Sequence, residues 1–262
     1  MQLGNMSQIM KQEKVSVLLP VYNTKRNHLV PCVDSILDQT LKNFELVIVD
    51  NGSTNQDTHK AIDFYRDQEN IKVIQVPQQK GKKNLSVALN QGLIQCENEL
   101  VARMDSDDYM AKERLEKQLD YFNNNWEDVD ILGTLLTLDM KQLVSKKYTD
   151  FTRHLSVNIP EVVDQNLYRS STHFCNHPTI MFKKSVILDL GGYKDTPDHI
   201  PEDFCLWAKA LKNGYKIRNL QEVLLWYRED GTGLSHQDAR KPEWYQAINE
   251  ARTSLFDFKS YL

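Results

Sequence analysis

Short runs of apolar, β-branched residues alternate with longer amphipathic stretches through the first hundred residues of the chain. The runs Val15–Val21 and Phe44–Asp50 are apolar almost throughout, a pattern typical of strands that are buried on both faces of a parallel sheet. Further strands are predicted at Ile71–Val76 and Glu99–Met104. Because strand and helix alternate from residue 15 onward, the sequence predicts an α/β fold with a mostly parallel sheet and right-handed crossovers.

Helical periodicity fills the intervals between these strands. Except in the second stretch, most of the apolar positions recur three or four residues apart, which places them on one face of the helix. They are Leu29, Val33, Ile36 and Leu37; then Ile62, Phe64 and Tyr65; then Leu85, Ala88, Leu89 and Leu93; and finally Leu115, Leu119 and Phe122. Each stretch is therefore predicted to cover a face of the sheet.

The second half of the chain has a less regular pattern. Val129–Leu138 and Val223–Tyr227 are predicted strands, and His177–Phe182 is a predicted loop that enters a strand. A helix is predicted to begin at Pro201–Asp203, because a proline and two acids suit a first helical turn. Residues 141–170 have a mixed composition, and no element is predicted there.

Length and composition exclude several classes of protein. A chain of 262 residues fits one large α/β domain, and a net charge of -4 without a long basic run argues against a nucleic-acid partner. The four cysteines show no Cys-x-x-Cys spacing, which favours free thiols over a zinc site or disulfides. No run of 18 apolar residues exists, and residues 1–13 lack the apolar core of a signal peptide. We expect a cytoplasmic protein with a disordered lead-in over residues 1–13.

Three carboxylates, Asp105, Asp107 and Asp108, lie within four positions directly after the fourth predicted strand. Like charges this close raise one another's pKa unless a cation lies among them, and hard carboxylate oxygens suit Mg²⁺ or Mn²⁺. The alternative is a solvated acidic turn that caps the next helix. Ligands of such sheets bind outside the carboxyl ends of the strands, where Pro20–Asn23 and Asp50 also lie. This convergence favours a binding site.

Taken in order, several short motifs resemble those of the inverting family-2 glycosyltransferases, which have the nucleotide-diphospho-sugar fold called GT-A. The resemblance extends from about Lys14 to about His236. The motifs are Leu19-Pro20-Val21-Tyr22-Asn23, Val49-Asp50-Asn51-Gly52-Ser53-Thr54, the helix from Asn84 to Leu93, Arg103-Met104-Asp105-Ser106-Asp107-Asp108, Gly191-Gly192-Tyr193, and Glu202-Asp203 followed by Leu206-Trp207. Each motif alone is weak, whereas the ordered set is specific. The detailed forms resemble bacterial transferases that assemble O-antigen and capsule repeat units.

The resemblance implies a nucleotide-sugar site at the strand ends. Pro20, Val21, Tyr22 and Asn23 would hold the base and ribose, and Asp50 would accept from the uracil N–H, which favours a UDP-sugar donor. A turn-forming role for Asp50 is the alternative. Arg103, Lys80 and Lys83 would contact the phosphates. The alternative for Arg103 is pairing with the acidic cluster, and the alternative for Lys80 and Lys83 is an exposed loop position.

The same resemblance implies a divalent metal ion, Mn²⁺ or Mg²⁺, between the acidic cluster and the two phosphates. Asp107 would be a direct ligand, and Asp105 would lie near the ribose or reach the metal through water, with Ser106 beside them. His236 is a candidate for a further metal or phosphate contact. The metal would stabilise the negative charge that develops on the leaving nucleoside diphosphate.

The resemblance also implies a catalytic base, Asp203, which would deprotonate the attacking hydroxyl. Glu202 beside it, together with partial burial, would raise its pKa and make it a better base. The alternative is ordinary first-turn helix charge. On the acceptor side, Trp207 would either stack on a sugar or lie in the core, and His177 would pack near the acceptor.

We therefore expect a GT-A domain over residues 14–236, with a nucleotide-sugar half (14–110) and an acceptor half (111–236), followed by an amphipathic helical tail over 237–262. The expected reaction is a metal-dependent, inverting transfer of a hexose (Glc, Gal or an N-acetylated form) from a UDP-sugar to a glycan hydroxyl. The expected acceptor is a lipid-linked oligosaccharide at the inner face of the plasma membrane. The tail would contact a membrane, a partner or second copy, or its own domain, and the sequence does not decide among these alternatives.

Two other functions compete with this hypothesis. A sugar nucleotidyltransferase shares the broad architecture, but it would carry a glycine-rich loop after the first strand, where this chain has Pro20–Thr24. A non-catalytic sugar-nucleotide-binding or scaffold module of a polysaccharide-assembly complex would have no need to keep both the acidic cluster and the Glu202-Asp203 pair.

Overall fold

The computed structural model describes residues 11–77, 85–138, 155–157, 159–170, 174–194 and 202–228. Within these ranges the strands form one ten-stranded sheet. The strands are β1 (Val15–Val21), β2 (Phe44–Asp50), β3 (Ile71–Gln75), β4 (Leu100–Arg103), β5 (Tyr109–Met110), β6 (Ile131–Leu138), β7 (Leu155–Val157), β8 (Val162–Val163), β9 (Met181–Lys183) and β10 (Ile217–Tyr227).

The described helices are α1 (Arg26–Leu37), α2 (Gln56–Tyr65), α3 (Leu85–Gln95), α4 (Arg114–Asn124), α5 (Gln165–Ser170), α6 (Lys184–Asp189) and α7 (Glu202–Lys212). Two short 3₁₀ helices, Trp126–Asp128 and His177–Thr179, precede β6 and β9. In the part of the chain that the structure describes, no helix is long and apolar enough to cross a bilayer.

The sheet is mixed but mostly parallel, as predicted. Its spatial order is β3-β2-β1-β4-β9-β6-β10-β5, with β7 beside β6 and β8 beside β10. The first four strands in this order are parallel, and so are β6 and β10. Strand β9 runs antiparallel to both β4 and β6, so it joins the two parallel parts.

The core lies on both faces of the sheet. Successive residues of β1 belong to two different apolar clusters, because side chains alternate between the faces of a strand. Leu18 packs in one cluster with Leu89, Trp207 and their neighbours, and Leu19 packs in the other with Val33 and its neighbours. All seven residues of β1 are buried, which agrees with a strand covered on both sides.

The predicted strands of the first half are confirmed, with bounds that differ by a residue or so. Strand β10 begins at Ile217 rather than at Val223. The reason is an irregular register between Leu220 and Leu225, where Gln221 and Glu222 are exposed and break the apolar pattern. Residues 141–170 gave no prediction because the elements described there, β7, β8 and α5, are too short to show a period.

The expected lead-in over residues 1–13 is corrected at its end, because Gln12 is held against the domain. Its backbone N–H donates to Asn123 Oδ1 at 2.8 Å, and its carbonyl accepts from Asn123 Nδ2 at 2.9 Å. The rest of that prediction, residues 1–10, lies outside the described residues, as do the expected tail over 237–262 and residues 78–84.

Candidate active site

The carboxyl ends of three neighbouring strands form one edge of the site. Strand β1 lies between β2 and β4, and its last residue, Val21, is directly opposite Asp50. The chain beyond β4 continues along β1, since the Met104 N–H donates to the Leu18 carbonyl at 3.1 Å. The acidic cluster therefore follows in the space next to the end of β1, where the sequence predicted it.

Asp50 is buried at the end of β2, and its two carboxylate oxygens have different surroundings. Oδ1 accepts from the Ser53 backbone N–H at 2.9 Å, which is the turn-forming role. Oδ2 lies 3.6 Å from Nε2 of His59, a residue of α2 that the sequence analysis did not single out. The His59 ring also contacts the Ser53 carbonyl at 2.8 Å. One oxygen of Asp50 thus builds the turn, and the other faces an imidazole.

The predicted nucleotide contacts at the end of β1 are not equivalent. The Pro20 and Val21 side chains are buried, so they shape the floor of the site. Asn23 has a positive φ of 51°, and its Oδ1 accepts from the backbone N–H groups of Thr54 and Asn55 at 2.8 and 2.9 Å. Its side chain therefore fixes the loop after β2. Tyr22, with 48% exposure, presents its ring at the strand end.

The three aspartates of the acidic cluster separate into two groups. Asp105 and Asp107 are half-buried, whereas Asp108 is buried and its Oδ1 accepts from the Arg228 N–H at 2.9 Å. Burial, together with the charges of Asp105 and Asp107, raises the pKa of Asp108 well above its usual range. Arg228 also donates from Nε to the Asp107 carbonyl at 2.9 Å, which fastens the cluster to the end of β10. Asp105 and Asp107 are therefore the more accessible carboxylates of the cluster.

Ser106 lies between these two aspartates. Its hydroxyl is 2.6 Å from the hydroxyl of Thr24, which follows β1. This contact connects the acidic cluster to the strand end that carries Tyr22.

Arg103, the last residue of β4, is only 2% exposed and pairs with the acidic cluster. Its Nη2 lies 2.5 Å from Asp105 Oδ1. The other guanidinium nitrogens, Nε and Nη1, have no hydrogen-bond partner among the described residues. Unpaired buried donors are costly, so they mark a position where a ligand oxygen would be stabilised.

Glu202 and Asp203 open α7, and the His177 ring faces both. Nδ1 of His177 is 3.6 Å from Glu202 Oε1 and 3.8 Å from Asp203 Oδ2. Asp203 uses its other oxygen, Oδ1, to accept from the Phe204 N–H at 2.8 Å. On the far side of the ring, His177 Nε2 is 3.1 Å from the Tyr193 hydroxyl.

Burial shifts the protonation of all three side chains toward their neutral forms. It raises the pKa of Glu202 to about 7, with the neighbouring Asp203 as the second cause, and it raises the pKa of Asp203. Burial, followed by the positive charge of Arg103, lowers the pKa of His177 well below its usual value. The charge of Arg103 also acts on both carboxylates, so this pair and the acidic cluster are coupled to the same guanidinium.

Two sets of side chains could hold a divalent metal. Asp105 and Asp107 supply hard carboxylate oxygens beside the strand end. His177, Glu202 and Asp203 place one ligand atom each within 4.8 Å of one another. The Arg103 charge acts on both sets, through its ion pair with Asp105 and on the carboxylates of Glu202 and Asp203, so it does not distinguish between them.

Of the two roles left open for Trp207, the structure shows the core role, and three other predicted site residues lie outside the described residues. Trp207 is 1% exposed and packs edge-on to the His177 ring, so it has no face for a sugar and belongs to the core. Lys80, Lys83 and His236 lie outside the part of the chain that the structure describes.

Tyr193 and Asn90 are the site residues whose roles the sequence analysis missed. Tyr193 stands in the Gly191-Gly192-Tyr193 motif, which indicates a turn but gives no sign that the phenol reaches His177.

The comparisons with known proteins agree with this geometry. The model of Glycosyl transferase family 2 matches residues 16–191. The O-antigen biosynthesis glycosyltransferase WbnJ of Escherichia coli is 34% identical over 221 residues, which are 82% of this chain and 80% of WbnJ. An Escherichia coli UDP-Gal:alpha-D-GlcNAc-diphosphoundecaprenol beta-1,3-galactosyltransferase is 32% identical over 213 residues, 81% of this chain and 73% of that enzyme.

Among solved structures, S. aureus TarS 1-349 in complex with UDP-GlcNAc superposes with a TM-score of 0.71 at 21% identity. The match covers 94% of this chain and 67% of the TarS chain, and at this identity it shows the fold alone. Fold, family match and relatives agree: this chain is a glycosyltransferase that belongs to family 2 and has the GT-A fold.

Proposed function

We propose that this glycosyltransferase transfers a hexose (Glc, Gal or an N-acetylated form) from a UDP-sugar to a hydroxyl of a glycan, with inversion and with a divalent metal ion. The acceptor is a lipid-linked oligosaccharide in the assembly of a surface polysaccharide. The observation that carries the proposal is the buried guanidinium of Arg103, which pairs with Asp105 of the acidic cluster and whose charge also acts on Glu202 and Asp203.

The donor side of the proposal is supported by charge and by the relatives. The leaving nucleoside diphosphate gains negative charge as the glycosidic bond breaks, and Mn²⁺ or Mg²⁺ at Asp107 and Asp105 would stabilise that charge. The unpaired Nε and Nη1 of Arg103 would donate to a phosphate or sugar oxygen. The galactosyltransferase relative is named for a UDP-Gal donor and a diphosphoundecaprenol-linked acceptor, which supports the same classes here.

On the acceptor side, Asp203 removes the proton of the attacking hydroxyl. The hydroxyl oxygen forms its bond to the anomeric carbon from the face opposite the leaving group, and the electron pair of the broken bond goes to the nucleoside diphosphate. A carboxylate whose pKa is raised holds a proton more strongly, so it is a better base than an exposed aspartate. The Glu202 carboxylate, with a pKa near 7, lies beside it.

Two structural features disfavour the competing functions, a nucleotidyltransferase and a non-catalytic module. A nucleotidyltransferase is disfavoured because the turn after β1 carries Tyr22 and Asn23 instead of a glycine-rich phosphate loop. A non-catalytic module would bind a sugar nucleotide without the half-buried carboxylates of Glu202 and Asp203, whose pKa values are raised by desolvation.

The donor class is tested by calorimetric titration of the purified protein with UDP, GDP, CMP and ATP, each with and without Mn²⁺. We expect Mn²⁺-dependent binding of UDP and weak binding of the others. Preferential binding of GDP would overturn the UDP assignment, and no binding of any nucleotide would favour the scaffold function.

The reaction itself is tested by incubating the protein with UDP-sugars and a GlcNAc-diphospholipid acceptor. The configuration of the new linkage is then measured by NMR, and we expect it to be opposite to that of the donor. A product with the donor's configuration would contradict the inverting mechanism.

A further inference from the structure

We infer that His177 is a positioning residue for the proposed base. Asn90, Gly192 and Tyr193 together hold the His177 ring in its orientation. The inference rests on the proposed role of Asp203 as base. It gives a function to the Gly191-Gly192-Tyr193 motif, which neither the donor site nor the acceptor chemistry uses directly.

The arrangement begins at Asn90 on α3, which holds both backbone polar groups of Tyr193. Asn90 Nδ2 donates to the Tyr193 carbonyl at 2.7 Å, and the Tyr193 N–H donates to Asn90 Oδ1 at 2.8 Å. These two hydrogen bonds fix the backbone from which the Tyr193 ring projects. A helix of the nucleotide-sugar half thereby sets the position of a ring in the acceptor half.

Gly192 makes this double contact sterically feasible. Its φ is +73°, a conformation that favours glycine. A Cβ at this position would also lie 2.4 Å from Asn90 Oδ1. Any other residue would therefore displace the amide that holds Tyr193, so the glycine serves the contact as well as the turn.

Tyr193 in turn fixes the far edge of the His177 ring. Its hydroxyl lies 3.1 Å from His177 Nε2, and the two ring centroids are 5.5 Å apart. Trp207 packs edge-on against the same imidazole at 5.9 Å. A buried ring with a polar contact at one nitrogen and an aromatic ring against it has little freedom to turn.

The remaining nitrogen, Nδ1, faces Glu202 and Asp203 at 3.6 and 3.8 Å. We assign the neutral tautomer in which the Tyr193 hydroxyl donates to Nε2, which leaves the ring proton on Nδ1 as a donor toward both carboxylates. Contacts of this kind are often long without substrate and shorten when the substrate binds. A shared donor between two acids reduces their repulsion and keeps the free oxygen of Asp203 directed at the acceptor hydroxyl.

The test is a kinetic series on the full chain: His177→Ala, His177→Asn and Tyr193→Phe, with Tyr215→Phe as a matched control. Tyr215 also uses its hydroxyl in a side-chain hydrogen bond, to the Asp189 carboxylate at 2.6 Å, but outside the site. We expect His177→Ala to lower kcat ~10- to 100-fold, the cost of a misplaced reacting group, while the KM for the donor stays unchanged. His177→Asn restores part of the loss, because its amide N–H lies near the position of Nδ1, whereas the Tyr215→Phe variant keeps full turnover.

A double-mutant cycle with Asp203→Asn separates this inference from the proposed function. If His177 acts through Asp203, His177→Ala costs little in the Asp203→Asn background, because residues that act as a unit are not additive. Equal losses in both backgrounds, or equal kcat for the Ala and Asn variants, would overturn the positioning role while leaving the base in place. Near-normal turnover of Asp203→Asn alone would overturn the base and this inference with it. Thermal unfolding of each variant identifies any loss that comes from misfolding.

Discussion

At the scale of single residues, the carboxylates of the acidic cluster and of the Glu202-Asp203 pair differ in burial and partners. Asp108 is buried and fastened to the Arg228 backbone, which gives it a structural role. Asp105 is paired with Arg103, and Asp107 is half-buried beside it. Glu202 and Asp203 lie near the His177 imidazole, and the pKa values of both acids are raised. Of these five carboxylates, the four other than Asp108 are therefore the ones that a ligand can reach.

Replacing the proposed base gives the sharpest residue-scale prediction. We expect Asp203→Asn to leave UDP binding intact and to lower kcat by ~10²–10⁴-fold, the usual contribution of a general base. Donor binding is measured by titration, and turnover by release of UDP. A variant with unchanged kcat would remove Asp203 from this role.

The pH dependence of turnover follows from the raised pKa values of the acceptor-side pair. A base acts only when it is deprotonated, so kcat is expected to fall as the pH drops through the pKa of Asp203, which burial raises above its usual range. Glu202→Gln removes the neighbouring titrating group, so the decline should move to lower pH. A kcat that stays constant from pH 8 to pH 5 would contradict this prediction.

At the scale of elements, α4 connects the donor and acceptor parts of the site. Its Arg114 is fully buried and donates to three backbone carbonyls on two other segments, which belong to Arg103 (2.9 Å), Pro178 (2.9 Å) and Ile180 (3.2 Å). One turn later, Gln118 accepts from Arg114 Nε at 3.0 Å and donates to the Leu132 and Thr179 carbonyls. The end of β4 and the 3₁₀ helix that carries His177 are therefore held by the same side chains.

Removing this connection is expected to destabilise the fold. Arg114→Met removes the guanidinium donors of the Arg103 and Pro178 carbonyls and of Gln118 Oε1, and we expect the free energy of unfolding to fall by ~3–5 kcal/mol, at ~1–3 kcal/mol for each unpaired group. Arg66→Met is the matched control, because Arg66 forms a surface ion pair with Asp63, and its loss should cost within about 0.5 kcal/mol. Urea unfolding measures both. Equal free energies of unfolding for the two variants would show that the Arg114 hydrogen bonds of α4 do not stabilise the fold.

At the scale of the whole molecule, the two halves meet where β9 lies between β4 and β6. The Arg103 N–H donates to the Ile180 carbonyl at 2.9 Å, just before β9 begins. The strand that delivers the acidic cluster is thus hydrogen-bonded to the segment that follows His177. The proposed metal site and the histidine that faces the proposed base are therefore connected through adjoining segments of the fold.

Metal removal tests this molecule-scale organisation. If the metal binds with the donor and has no structural role, EDTA should leave the thermal midpoint of the unliganded protein unchanged. UDP with Mn²⁺ should raise that midpoint, since a ligand at 100 times its Kd adds ~2.7 kcal/mol, and EDTA should abolish the rise.

Asp107→Ala should lose the same Mn²⁺-dependent rise, whereas Asp57→Ala, an exposed acid on α2, should keep it. A midpoint that falls on addition of EDTA alone would instead indicate a structural metal.

The sequence by itself determined the local features of this protein. Apolar runs and helical periods depend on neighbouring residues, so the strands of the first half, the mostly parallel sheet and the acidic strand end could all be predicted. The pairing of Asp105 with Arg103 was one of two roles expected for that arginine. The order of the motifs was enough to indicate the family that the comparisons then confirmed.

Only the tertiary structure decided which side chains face a ligand and which hold others in place. The contact between Asn90 and Tyr193 joins residues 103 positions apart, and no local pattern records such a pairing. The burial of Trp207 and Asp108 depends on the packing of distant elements, so the sequence could not separate a core ring from a sugar-stacking ring. Secondary structure arises from short-range periodicity, whereas the geometry of the site arises from long-range contacts, and these exist only once the chain has folded.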